Sequence, residues 1–161
     1  MATMSAKKTS KAALFTSIGA IVLAAVTSVA VLFGISAKDV TTKTLNNNDF
    51  KIGGLSEVGK VIESKESLVS KDFIEVDGMT IEVDEETATI TYDVAFYNED
   101  KEFISTSEAN NGDFDVANVP ENAKYCKISI TPNEVDGEAV KLNVFNQAKY
   151  LKQITVTYSI E

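Results

Sequence analysis

The chain has 161 residues, 44% of them hydrophobic and 24% charged, the balance of a folding protein rather than of a disordered one. It contains no His and a single Cys, which removes the usual general base near neutral pH, the Ser-His and Cys-His nucleophile pairs, the commonest zinc ligand and any internal disulfide. The net charge of -9 is unevenly placed: Lys7, Lys8 and Lys11 stand alone at the start, while the part from Lys38 onward sets 12 lysines against 24 acids, a surface that repels phosphate backbones and argues against nucleic acid as a partner.

Residues 12–37 carry no charge, and residues 14–35 alone would span about 33 Å as a helix at roughly 1.5 Å per residue. That length predicts a transmembrane helix. The three lysines before it place residues 1–11 in the cytoplasm and the remainder outside the cell. A signal peptide has a shorter apolar core, which favours an uncleaved anchor, although Ile35-Ser36-Ala37 ends in small residues that a signal peptidase accepts; cleavage would make the protein secreted. Residues 38–49 are polar, without a periodic apolar face, and read as a tether. No Asn in the chain completes a glycosylation sequon.

Residues 50–161 are expected to form one domain. Gly53-Gly54 and Gly59 interrupt the apolar residues between Phe50 and Ile62, predicting loop and short strand. Asp77-Gly78, between the apolar run 73–76 and the alternation of Met79, Ile81 and Val83, predicts a hairpin over residues 73–83. The cleanest periodicity follows: Ile90, Tyr92, Val94 and Phe96 fall on one face of a strand, a polar turn spans residues 98–101, and Phe103 and Ile104 return antiparallel to it. Residues 106–118 read as a loop carrying a short strand. Cys126, Ile128 and Ile130 then share a face, Asp136-Gly137 marks a turn before Val140, Leu142 and Val144, and Ile154, Val156, Tyr158 and Ile160 close the chain with a last alternation. Seven or eight short strands separated by turns, with no convincing helix, predict an all-β antiparallel sandwich.

The string of residues 92–105, Tyr-Asp-Val-Ala-Phe-Tyr-Asn-Glu-Asp-Lys-Glu-Phe-Ile-Ser, followed by residues 119–130, Val-Pro-Glu-Asn-Ala-Lys-Tyr-Cys-Lys-Ile-Ser-Ile, resembles the galactose-binding-like jelly-roll modules of bacteriophage tail proteins and Gram-positive surface proteins. Gly54, Gly59 and residues 72–76 are similar to segments those modules place upstream. The resemblance covers roughly residues 50–130. It implies a jelly-roll fold and adhesion or carbohydrate binding, with an aliphatic residue usual where Cys126 stands and Arg frequent where Lys127 stands.

Among candidate site residues, Tyr92 and Phe96 share the apolar parity and belong to the core. Tyr97 and Tyr125 fall on the opposite parity and are the candidates for a sugar-stacking platform, with Lys127 beside them on the wetter face. Residues 84–86, Glu99 with Asp100, Asp113 with Asp115, and Glu134 with Asp136 could offer oxygen ligands to calcium, but none has EF-hand spacing, and solvated turn carboxylates are the simpler account. Paired carboxylates could in principle hydrolyse a glycoside, a signal without specificity in so acidic a chain. The expectation is therefore a non-catalytic, membrane-tethered extracellular module recognising carbohydrate or a surface polymer. The alternative is a structural protein docking in an envelope or phage-derived assembly.

Overall fold

A computed structural model describes residues 41–160, apart from Glu85 and Glu108. The expected cytoplasmic tail and transmembrane anchor lie outside the described residues. Among the described residues, no helix is long and apolar enough to cross a membrane.

The fold is mostly β, with every strand pairing antiparallel. Strand β1 (Thr41–Thr44) is followed by a 3-10 turn at Asn47–Asp49, then β2 (Phe50–Ile52), β3 (Gly54–Leu55), β4 (Val61–Ile62), β5 (Leu68–Ser70), β6 (Ile74–Glu75) and β7 (Thr80–Val83). The long strand β8 (Ile90–Tyr97) leads into β9 (Phe103–Thr106), a second 3-10 turn at Val116–Asn118, β10 (Tyr125–Pro132), a short helix α1 (Gln147–Leu151) and β11 (Ile154–Ile160). One sheet runs β2-β5-β10-β8-β9, with β6 also on β10; a second runs β1-β11-β7; β3 and β4 form a separate ribbon.

The two larger sheets share a single apolar core. Ile90, Tyr92, Val94 and Phe96 of β8 and Cys126, Ile128 and Ile130 of β10 meet Ile81 and Val83 of β7 and Ile154 and Val156 of β11, all buried. This is the parity read from the sequence, and it follows from the period of two in a pleated strand. The β8–β9 hairpin also forms as expected. Asn98 organises its turn, its side-chain oxygen accepting from the Asp100 and Glu102 N–H groups, while Lys101 takes the left-handed conformation at φ 61°.

Four expectations are corrected. Residues 38–49 are not all tether: Thr41–Thr44 pairs with Thr157–Ile160 of β11 as an edge strand, which needs backbone pairing and β-branched residues but no apolar face. Asp77-Gly78 does not close a hairpin. Only Gly78 has positive φ, β6 pairs with β10 while β7 pairs with β11, and the turn carries the chain from one sheet to the other so that Ile74 and Ile81 enter the core from opposite sides. After Thr106, which ends β9, the described residues up to Asn118 hold no further strand; Asn110 makes an isolated bridge to Tyr92, and Asp115 caps the 3-10 turn by accepting from the Ala117 N–H at 2.9 Å. After Asp136-Gly137 the chain stays irregular up to α1, and at its end the side-chain oxygens of Asn143 and Asn146 take up the N–H groups of Asn143, Phe145 and Asn146 that a ladder would need. Helix α1 follows, its Tyr150 and Leu151 in the core.

Candidate functional site

Residues directly opposite in an antiparallel pair share a face. Tyr97 faces Tyr125, Ala95 faces Lys127 and Asp93 faces Ser129, so the three expected ligand-binding residues do lie together, on the outer face of the six-stranded sheet. Their environment differs from the expectation for two of them. Tyr97 is only 4% exposed and Lys127 7%. The Tyr97 hydroxyl donates to the Gly59 carbonyl, and its ring meets Phe73 edge-on at 4.9 Å and Phe103 at 6.0 Å. Burial pushes its hydroxyl up to about 12. The Lys127 ammonium donates to the Lys71 carbonyl at 2.9 Å and the Ser70 carbonyl at 3.3 Å, and lies 4.6 Å from the Phe73 ring centre. Three N–H groups thus meet two carbonyls and a π face, leaving no free direction for a ligand. Burial lowers its proton affinity, against the pull of Asp72. Tyr125 is half-buried between Phe73 and the Lys101 ammonium, 5.5 Å from its ring centre.

Tyr97 and Phe103 instead support a neighbouring cleft of about 510 Å³ between the β3–β4 connection and the β8–β9 pair. Leu55 and Phe103 give it apolar wall, Ser56, Ser105 and Thr106 give it hydroxyls, and Glu57 and Asp93 give it carboxylates. The connection is held over the sheet by the Tyr97–Gly59 bond. Gly59 is required there. Its φ is +67°, and an added Cβ would collide with the Phe103 ring and stand 2.8 Å from the Tyr97 hydroxyl.

Asp93 is the unusual member of the lining. It sits half-buried in the middle of β8, burial raises the pKa of its carboxyl, and among the described residues no hydrogen bond or ion pair reaches that carboxyl. Two further clefts differ in this respect. In the one beside β7 and β11, of about 450 Å³, Asp113 already accepts from the Val83 N–H, Asp84 from Glu86 and Thr87, and Gln153 from Thr89. The third, lined by Ile52, Glu63, Ser64 and Lys65, is smaller. Of the acidic clusters considered for calcium, Asp84 and Asp115 act as turn and cap acceptors and Asp113 accepts from the N–H of Val83 at the end of β7. Among the described residues no group of three or more His, Cys, Asp or Glu is placed to hold a metal ion.

The sequence reading placed Tyr97, Tyr125 and Lys127 on one sheet face, where the structure has them, and did not single out Asp93 or Glu57, which line the neighbouring cleft. An acid in the middle of the most regular strand was the available signal for Asp93. No signal linked Glu57, 36 positions earlier, to the same cleft. No protein-family model matches the chain, nor does any curated protein or solved structure.

Proposed function

We propose that this protein is a non-catalytic binding module, a jelly-roll domain held at the cell membrane by residues 12–37 and displayed outside the cell, whose cleft beside Asp93 receives carbohydrate from a cell-surface polymer. The observation that carries the reading is the carboxylate of Asp93, half-buried and without a partner among the described residues, in a cleft that combines an aromatic wall with hydroxyls. Saccharides offer matching chemistry: apolar C–H faces for Phe103 and Leu55, and hydroxyl donors for a half-buried carboxylate that only water now solvates. Display outside the cell draws on the uncharged run and the lysines before it. A glycan array probed with the full chain in detergent tests the binding reading, with retention of at least one glycan class expected. Protease added to intact cells tests the display: removal of residues 41–161 with a membrane-bound stub is expected, and resistance until lysis would refute it.

A second reading, docking on another protein of an envelope or phage-derived assembly, draws on the loop before α1. Val144 and Phe145 are 69% and 94% exposed, yet Asn143 and Asn146 fix the loop that presents them. A rigid loop displaying a bare aromatic has the form of an interface anchor. Glycan-array silence together with a protein partner lost on Phe145→Ala would favour this reading.

A further inference from the structure

The chemistry of the cleft narrows the class of saccharide, an inference that rests on the binding function proposed above. Two carboxylates, Asp93 and Glu57, line the cleft together with the hydroxyls of Ser56, Ser105 and Thr106, and among the described residues no lysine does. Among the acids considered above, Asp84, Asp113 and Asp115 each have a carboxylate oxygen satisfied by a backbone N–H. Asp93 does not. It faces Ser129 across the β8–β10 pair, and the cation diagonal to it on that face, Lys127, is held by the Ser70 and Lys71 carbonyls.

A carboxylate left half-buried without a partner is unfavourable, and the group that relieves it most is a cation that can also donate hydrogen bonds. A neutral hydroxyl supplies the second property but not the first. We propose that the cleft is specific for an amino sugar with a free, protonated amine, its ammonium set against Asp93, its ring face against Phe103 and its remaining hydroxyls toward Ser105 and Thr106. Glu57, exposed at the rim, adds negative potential at the mouth and favours the same charge on the incoming ligand. N-Acetylation of the sugar would abolish recognition twice over, by removing the charge and by adding bulk where the ammonium sits.

The test is calorimetric titration of the full chain, in detergent micelles at neutral pH, with three probes: a glucosamine tetramer, its fully N-acetylated counterpart and a glucose tetramer. The glucosamine tetramer should bind at least about tenfold more tightly than either of the others, the worth of one charge-assisted hydrogen bond. Asp93→Asn should erase that preference, and Glu57→Gln, at an exposed position where folding is not at issue, should weaken it and flatten its dependence on salt. Equal binding of all three tetramers, or an amine preference untouched by Asp93→Asn, would overturn the amino-sugar assignment while leaving the carbohydrate reading in place. Binding of none of the three, together with a silent glycan array, would overturn both.

Discussion

Cys126 lies in the core with no exposure, its sulfur 3.4 Å from that of Met79. It is a free thiol, and burial pushes its pKa up to about 12, so at neutral pH neither access nor thiolate character favours reaction. Thiol reagents should leave the native protein unmodified until denaturant is added. Cys126→Val should change stability by less than about 1.5 kcal/mol in denaturant titration, since volume and polarity nearly match, whereas Cys126→Asp should unfold the domain by burying a charge without a partner. Asp93 carries the opposite lesson. Its pKa is raised in the folded state, so the folded state holds the proton more tightly than the unfolded one. The stability this contributes is complete below the unfolded carboxylate pKa of about 3.9 and is lost as pH rises through the folded value. Asp93→Asn should therefore be neutral at pH 3 and stabilising at pH 7, by about 1 kcal/mol or less for a group still partly in water, as measured by thermal unfolding at the two pH values. A stability cost at Asp93 would accord with the binding role proposed for it, since function can hold a residue that the fold alone would discard.

At the scale of elements, the β3–β4 ribbon is the least secured piece near the cleft. Two residue pairs join its strands, Val58, Val61 and Ile62 remain exposed, and the Tyr97 hydroxyl ties it to the sheet through Gly59. Gly59→Ala combines a disfavoured left-handed φ with a collision against Phe103 and should cost about 1–3 kcal/mol. Hydrogen exchange should show the loss concentrated in residues 54–62, with β8 and β10 still protected. Tyr97→Phe should loosen the same segment while leaving the ring contacts to Phe73 and Phe103 in place. The elements readable from sequence were those whose apolar residues alternate over five or more positions. β8, β10 and β11 were legible because each has one face in the core, and the β8–β9 hairpin because Asn98 supplies its turn acceptors. Asp77-Gly78 misled because turn chemistry fixes only that the chain bends, and the partner of each flanking strand is chosen by long-range pairing with β10 and β11. Tyr97 and Lys127 misled for a related reason: parity assigns a side chain to a face, but the cover over that face, here Phe73 and the β3–β4 connection, comes from 24 or more positions away.

At the scale of the molecule, both sheets contribute to one core, and β6 and β7, consecutive in sequence, belong to different sheets. Neither sheet can therefore lose its partner and keep its buried face covered. Tyrosine fluorescence and far-ultraviolet circular dichroism should report coincident denaturant transitions for the domain, and two separate midpoints would show the sheets to be independently stable. Most pairings join residues far apart in the chain, such as Thr41 with Ile160 and Tyr92 with Ile130, so folding should fall in the millisecond-to-second range. The pairing of Thr41 with Ile160 has a further consequence, for how the chain can be rewired. The first and last described strands meet side by side, and a linker of a few residues would join them without crossing the domain. The exposed Asp136-Gly137 turn, where nothing lies within 4 Å of a Cβ added at Gly137, offers a place for new ends. A circular permutant closed between residues 41 and 160 and opened between residues 136 and 137 should keep both sheets and the Asp93 cleft, with β1 converted from a leading edge into an internal hairpin arm.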